Sequence, residues 1–334
     1  MRIKLLFLLL FISSFVFSQE ENGAVKWLTF KEAQEKNKKE PKPFLIDIYT
    51  DWCGWCKHMM RTTYSNQALA QYVNTNFYPV KFNAEGKDTI EYNGETYAPT
   101  STQPRTPHAL ALKFLGKQLT YPSTVFVGNN FEFNLLTQGY LEEKKIQPIL
   151  VFMVENAFKN APYEEFEERF NKTFMDTTAF TTKKSVKTYT IKEALELQKK
   201  APRKMLVNVY ADFCNTCMVQ NKTTFTDTLV ADYINKHYYL VNFNAESNDT
   251  IVFNNEKFYK QFVNGFPLNT FAFKVTNGRF SFPAIAVLDE KGVTIDVLNN
   301  YYHPKHLKPI LLYFGEDRFK TQKWVDFYQQ YQMK

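Results

Sequence analysis

Two cysteines separated by two residues, Cys53 and Cys56, are the side chains of this sequence best suited to chemistry. They follow an aliphatic run, Phe44-Leu45-Ile46-Asp47-Ile48-Tyr49, and precede a segment that favours a helix, so they lie where a buried strand gives way to a helix N-terminus. There the helix macrodipole and the free backbone N–H groups favour a thiolate on Cys53. A thiolate attacks disulfides, and Cys56 lies one turn further along. The pair therefore predicts a reversible, redox-active disulfide.

A second pair with the same spacing, Cys214 and Cys217, begins 161 residues after the first. The same offset relates positions throughout the chain, which indicates a tandem duplication with little net insertion. We call the two halves copy one and copy two. The matched segments include Lys31-Glu32-Ala33 with Lys192-Glu193-Ala194, Tyr49 with Tyr210, Asn83-Ala84-Glu85 with Asn244-Ala245-Glu246, Pro122 with Pro283, and Phe166 with Phe327.

The residues around the first pair resemble a known active site. The stretch Trp52-Cys53-Gly54-Trp55-Cys56-Lys57 after a strand resembles that of thioredoxin, in the form seen in thioredoxin-like domains of exported bacterial proteins. Asp47 matches the buried acid of that family, and Tyr121-Pro122-Ser123-Thr124-Val125-Phe126-Val127 matches its cis-proline element. With the repeat, the resemblance implies an α/β chain of two tandem thioredoxin-like folds. Each would have a central mixed sheet flanked by helices and be followed by an amphipathic helix.

The resemblance also implies roles for the residues of copy one. Cys53 would attack the disulfide of a protein substrate, and Cys56 would resolve the mixed disulfide. Asp47 would relay a proton for Cys56, because a buried carboxylate with a raised pKa suits that task. Lys57 would add positive charge that favours the thiolate.

Substrate contacts are expected beside the dithiols and on the proline loops that face them. The proposed substrate-binding residues are Trp52, Trp55, Tyr121 and Pro122 in copy one, and Phe282 and Pro283 in copy two.

Copy two departs from this pattern at the positions that tune the chemistry. Asn208 replaces the buried acid, Met218 replaces Lys57, and Phe213 replaces Trp52. The dithiol of copy two therefore lacks the proton relay and the positive neighbour. Three interpretations remain open: a second redox site in relay with copy one, a substrate-binding module with an inert disulfide, or a scaffold.

Other uses of the four cysteines are less well supported by their context. A permanent staple would close only a short loop and stabilise little. A zinc site shared by both pairs lacks His residues at ligand spacing. Haem attachment needs His directly after the second cysteine, where Lys57 and Met218 stand. The sequence predicts neither a metal nor a cofactor. A competing class is a peptide-binding or chaperone-like adaptor whose thioredoxin folds have no essential redox role.

The beginning of the chain predicts export. A basic start, Met1-Arg2-Ile3-Lys4, is followed by an apolar run that ends near Phe17, and Val16-Phe17-Ser18 offers a cleavage site. This is the pattern of a cleavable signal peptide, so we expect an exported protein located in the periplasm. The predicted partners are exported proteins with disulfides and a membrane electron donor. The net charge of +7 is scattered along the chain and predicts no nucleic-acid partner.

These observations divide the chain into five predicted parts. Residues 1–18 form the signal peptide, 25–160 the first thioredoxin-like domain and 161–187 a helix and linker. Residues 188–315 form the second thioredoxin-like domain and 316–334 a C-terminal helix.

Overall fold

The computed structural model describes residues 24–176, 186–263, 265–278 and 281–333. The predicted signal peptide lies outside the described residues, as does most of the predicted linker. The domain boundaries given above stay predictions. Among the described helices, none is both long enough and apolar enough to cross a membrane.

Copy one is built on a four-stranded mixed sheet with the strand order β2-β1-β5-β6. The central strand β1 runs parallel to β2 and antiparallel to β5. A separate hairpin, β3–β4, forms around Asn93-Gly94, as the Asn-Gly pair predicts. The strands are β1 Phe44–Tyr49, β2 Tyr78–Asn83, β3 Ile90–Tyr92, β4 Glu95–Tyr97, β5 Ser123–Val127 and β6 Asn134–Gln138.

Helices cover both faces of this sheet. The first begins with a capping box: Thr29 Oγ1 accepts from the Glu32 N–H, and the Glu32 carboxylate accepts from the Thr29 N–H. The helix α5 ends at Val154, and a 3₁₀ turn, Ala157–Lys159, follows it. The helices are α1 Phe30–Lys39, α2 Gly54–Arg61, α3 Gln67–Asn76, α4 Ala109–Leu115, α5 Glu143–Val154 and α6 Tyr163–Phe174.

Copy two repeats this plan with a five-stranded sheet ordered β15-β14-β8-β9-β7. The central strand β8 is again parallel to β9 and antiparallel to β14. A second small hairpin, β12–β13, extends what is a single antiparallel bridge in copy one, between Pro99 and His108. The strands are β7 Thr188–Tyr189, β8 Lys204–Tyr210, β9 Tyr238–Asn244, β10 Ile251–Phe253, β11 Glu256–Phe258, β12 Lys260–Val263, β13 Phe266–Asn269, β14 Ala284–Leu288 and β15 Thr294–Asn299.

The helices of copy two keep the same order. Its first helix has the same capping box, formed by Thr190 and Glu193. The helix that carries the second dithiol is short and passes into a π-helical turn, Gln220–Thr224. The helices are α7 Ile191–Lys200, α8 Asn215–Val219, α9 Thr228–His237, α10 Thr270–Val275, α11 Pro304–Gly315 and α12 Trp324–Gln332.

The two faces of β1 belong to different parts of the core. Because side chains alternate along a strand, Phe44, Ile46 and Ile48 pack on one face and Leu45 on the other. Leu45 belongs to the same cluster as Met59 and Met60 of α2. By this alternation Asp47 shares the face that α2 covers, which places the carboxyl group on the same side of the sheet as the first dithiol.

Helix α6 joins the two copies. Its Phe166 is fully buried and packs against Phe152 of α5 and Tyr301 of copy two, with ring centroids 5.3 and 5.4 Å apart. Arg169 donates to the carbonyl of Thr223 at 3.2 Å. The apolar face of this amphipathic helix therefore contributes to the contact between the copies. The equivalent α12 packs its Trp324 and Phe327 on Tyr313 of copy two instead.

Candidate active site

The first dithiol lies at the N-terminus of α2. Cys53 is the N-cap residue, and its Sγ accepts from the Cys56 N–H at 3.0 Å. The two sulfurs form a disulfide with Cα atoms 5.3 Å apart, and both residues are largely buried. This is the arrangement that the spacing predicts, in which the sulfur of Cys53 lies at the N-terminus of a helix.

Aromatic side chains form an exposed rim around this dithiol. Trp52 and Trp55 are 55% and 62% exposed. The Trp52 indole N–H donates to Glu85 Oε1 at 3.0 Å, and its ring meets Tyr121 edge-on at 6.0 Å. The peptide bond between Tyr121 and Pro122 is cis, as the resemblance implies. Large apolar rings left in solvent beside a disulfide can bind an unfolded peptide segment.

Asp47 lies fully buried on β1, and neither carboxyl oxygen has a hydrogen-bond partner. Burial raises the pKa of Asp47 to about 7, although the charge of Lys81 acts to lower it. Lys81 is the residue that pairs with Asp47 across the β1–β2 ladder. A carboxyl group that titrates near pH 7 can both accept and return a proton, so it suits general acid–base chemistry.

Copy two fills the equivalent space with neutral amides. Asn208 replaces Asp47, and its Nδ2 donates to Asn221 Oδ1 at 2.9 Å and to Asn242 Oδ1 at 3.0 Å. Gln220 Nε2 donates to Asn208 Oδ1 at 3.3 Å. The corresponding residues of copy one are Met60, Lys81 and Met59. Where copy one has a buried carboxyl group, copy two thus has hydrogen-bonded amides that carry no charge.

The second dithiol repeats the geometry of the first. Cys214 is the N-cap residue of α8 and forms a disulfide with Cys217, with Cα atoms 5.2 Å apart. Phe213 meets Phe282 edge-on at 5.4 Å, as Trp52 meets Tyr121 in copy one. The peptide bond between Phe282 and Pro283 is also cis.

One carboxylate of copy one reaches the second dithiol. Glu155, which follows the last residue of α5, accepts from the backbone N–H groups of Asn215 and Thr216 at 3.1 and 2.7 Å. It also accepts from the Asn215 amide at 3.0 Å and the Thr216 hydroxyl at 2.6 Å. Its Oε2 lies 3.8 Å from the Sγ of Cys214. In copy one the residues equivalent to Asn215 and Thr216 are Gly54 and Trp55, which are both exposed.

The sequence missed three residues of these sites. Glu85 holds Trp52, Lys81 faces Asp47 across the ladder, and Glu155 belongs to the other copy. The segment Asn83-Ala84-Glu85 recurs in copy two, but nothing in the sequence indicates that Glu85 contacts Trp52. Glu155 gave no local signal either, because its role depends on how the two copies pack. Among the described residues, no group of three or more His, Cys, Asp or Glu side chains could hold a metal ion.

Comparison with known families agrees with this architecture. Residues 8–133 match the family model Thioredox_DsbH, described as a protein of unknown function, DUF255. Residues 191–315 match Thioredoxin_2, described as a thioredoxin-like domain. The chain belongs to the thioredoxin superfamily and contains two thioredoxin-like regions. At the level of this superfamily, the fold and the two Cys-x-x-Cys pairs support a thiol–disulfide oxidoreductase.

Solved structures and curated proteins give more distant similarities. A DsbH oxidoreductase is 14% identical and covers 36% of this chain and 76% of its own, with a TM-score of 0.26. A thioredoxin-fold protein from Helicobacter pylori is 17% identical and covers 48% of this chain and 88% of its own, with a TM-score of 0.30. Protein B0495.5 of Caenorhabditis elegans, which is uncharacterised, is 28% identical over 74 residues. That match spans 22% of this chain and only 10% of the length of this curated relative.

Proposed function

We propose that this protein is an exported thiol–disulfide oxidoreductase in which Cys53 attacks the disulfides of exported proteins and Cys56 resolves the mixed disulfide. The observation that carries the proposal is Asp47, a buried carboxyl group without a hydrogen-bond partner on the face of the sheet that α2 covers. A binding module gains nothing from such a group, because burying an unpaired carboxyl group costs free energy.

The proposed reaction transfers two electrons from the dithiol to the substrate. The Cys53 thiolate attacks one sulfur of a substrate disulfide, a Cys53–substrate bond forms, and the other substrate sulfur leaves as a thiolate. Cys56 then gives its proton to Asp47 and attacks the Sγ of Cys53. The second substrate sulfur leaves, and the protein retains the Cys53–Cys56 disulfide. A dithiol electron donor, proposed to be held at the membrane, returns this disulfide to the dithiol.

The proposed substrate surface is the aromatic rim of copy one. Trp52 and Tyr121 flank the dithiol, and Trp55 is the most exposed ring of the rim. Pro122 ends the loop that precedes β5, whose Thr124 pairs with Asp47 in the sheet. Backbone groups of this loop would bind an extended peptide next to Cys53. Phe282 and Pro283 would form the equivalent loop beside Cys214.

Export is the second part of the proposal. It is supported by the basic start and the apolar run of the first 18 residues. An oxidising compartment such as the periplasm also suits two disulfide-forming pairs.

Insulin reduction by dithiothreitol tests the proposal directly. The chain from Gln19 onward should accelerate the precipitation of reduced insulin well above the rate with dithiothreitol alone, because its dithiol exchanges faster than the reagent. The same chain alkylated at all four cysteines should give only the background rate. An unmodified chain that does not exceed the background would instead favour the adaptor interpretation, in which the aromatic rim binds peptides without exchange.

A further inference from the structure

The contact of Glu155 with copy two brings a negative charge to the second dithiol. Two backbone N–H groups, one amide and one hydroxyl of α8 point at this carboxylate, a set of donors that fits an ionised acceptor. The equivalent N–H groups of copy one belong to Gly54 and Trp55, which are exposed at the helix start beside Cys53. In copy two Glu155 binds these N–H groups.

The surroundings of Cys214 therefore disfavour the ionisation of its thiol. Its sulfur would carry a negative charge 3.8 Å from the Oε2 of Glu155, and like charges at this distance disfavour ionisation. The N–H groups of Asn215 and Thr216 are bound to Glu155, which leaves the Cys217 N–H as the backbone donor to the Cys214 sulfur, at 3.1 Å. The residue that follows Cys217 carries no charge, since Met218 stands where copy one has Lys57.

We propose that Glu155 is a positioning residue that keeps reduced Cys214 protonated and thereby holds the second dithiol in its disulfide form. The inference rests on the proposed function only in that it assigns redox chemistry to the second pair. The sequence leaves open whether the second pair acts in a relay with the first. A disulfide that is difficult to reduce would not be an equal partner in such a relay.

Reduction of the Cys214–Cys217 disulfide requires an external dithiol as the electron donor. An external dithiol gives two electrons and two protons to the Cys214–Cys217 disulfide and becomes a disulfide itself. Both cysteines of copy two then emerge as thiols, and the Cys214 S–H faces the carboxylate of Glu155. Because the reduced state cannot gain the stabilisation of a thiolate, the equilibrium lies further toward the protein disulfide.

The surroundings of Glu155 act on its carboxyl group in opposite directions. Burial raises the pKa of Glu155, and the hydrogen bonds from Thr216 and Asn215 act to lower it. Tyr72 of α3 interacts electrostatically with this carboxylate. Burial raises the pKa of Tyr72, and the negative charge of Glu155 raises it further. The groups that face this carboxylate are thus Tyr72 from copy one and Asn215, Thr216 and Cys214 from copy two.

The repeat supplies a matched control. Glu316 is the residue equivalent to Glu155 and likewise follows the last turn of its helix, α11. It is exposed, and its carboxylate accepts from Arg318 Nε at 3.1 Å. Glu316→Gln therefore removes the same charge from the same place in the repeat without touching a dithiol.

The experiment measures the redox equilibrium of the second pair alone. In a chain with Cys53→Ser and Cys56→Ser, the fraction of reduced Cys214 and Cys217 is determined by alkylation and mass spectrometry in dithiothreitol buffers. At a pH above the pKa of Cys214 in both proteins, Glu155→Gln should shift the equilibrium toward the dithiol by about tenfold, which corresponds to about 30 mV for a two-electron couple. The pKa of Cys214, followed by thiolate absorbance, should fall by about one unit. Glu316→Gln should change neither value.

A second variant separates charge from packing. Thr216→Val removes a hydrogen bond to Glu155 but leaves the carboxylate in place, so it should not lower the pKa of Cys214. Equal shifts in Thr216→Val and Glu155→Gln would overturn the inference, as would a folded Glu155→Gln protein with an unchanged equilibrium. If Glu155→Gln does not fold, Glu155→Ala and Thr216→Val are compared in the same way. Since insulin is not involved, the result is independent of whether copy one reduces it.

Discussion

Replacing Cys53 with serine should abolish the reduction of insulin and leave only the rate of dithiothreitol alone. Serine cannot form the mixed disulfide, and Cys56 lies deeper in α2, behind the position that Cys53 occupies at the helix start. The measurement is the turbidity of reduced insulin against time. The effect should be complete, because copy one contains no cysteine besides these two that could take the role of the nucleophile.

The matched control for this variant is Cys214→Ser, the same change at the equivalent position of copy two. Because the second disulfide is difficult to reduce, this variant should reduce insulin at a rate within about twofold of the parent rate, as expected for an independent site. Equal losses in the two variants would contradict this assignment and favour a relay between the dithiols. Retained activity in Cys53→Ser would remove Cys53 as the nucleophile.

Replacing Asp47 with asparagine should lower the rate of disulfide exchange by about 10²-fold at pH 8, a typical loss for a general base. The pKa of Asp47 is raised to about 7 by burial, so in the parent the proton-accepting form increases as the pH rises through this value. The ratio of parent to variant rates should therefore grow between pH 6 and pH 8. A ratio that does not change with pH would contradict a proton-transfer role for Asp47.

The same substitution should stabilise the protein at alkaline pH. Between the ordinary pKa of an aspartate and about 7, folded Asp47 holds a proton that the unfolded chain has released. Parent stability should therefore fall as the pH rises through this range and stay low above it, at a cost of up to about 4 kcal/mol. The asparagine of the variant avoids this cost but leaves an amide without partners, which costs about 1–3 kcal/mol.

We therefore expect Asp47→Asn to exceed the parent stability at pH 8 by roughly 1–3 kcal/mol and to lose this advantage near pH 4. Urea unfolding at the two pH values measures the difference. Asn208→Asp serves as the reciprocal control: it introduces a buried carboxyl group into the amide network of copy two and should destabilise the protein at pH 8. Equal stability of parent and Asp47→Asn at pH 8 would contradict the raised pKa.

The parts of this structure that local sequence determines could be predicted. The apolar run before Cys53 predicts the buried strand β1. The resemblance to thioredoxin places the cis proline Pro122, and the offset of 161 residues places the second dithiol and Pro283. The Asn93-Gly94 pair predicts the β3–β4 hairpin. These features depend on neighbouring residues or on a repeat, which a single sequence displays directly.

The features that depend on packing between distant segments could not be predicted. Glu155 resembles any other glutamate at a helix end until the contact between copies places it beside Cys214, 59 residues later. The amide network around Asn208 joins β8, the π-helical turn and β9, and its members are ordinary polar residues in the sequence. In the same way, the sequence does not tell whether Lys81 faces Asp47 until the register of β1 and β2 is fixed.

The most direct test of the central claim is to trap the mixed disulfide on Cys53. A Cys56→Ser chain, reduced and freed of dithiothreitol, is mixed with oxidised insulin and analysed by non-reducing mass spectrometry. We predict a covalent adduct between Cys53 and an insulin chain that dithiothreitol releases, since the resolving cysteine is missing. A Cys217→Ser chain that keeps the Cys53–Cys56 pair should accumulate far less adduct on Cys214. The absence of an adduct on Cys53 would contradict the assignment of this residue as the nucleophile of a disulfide oxidoreductase.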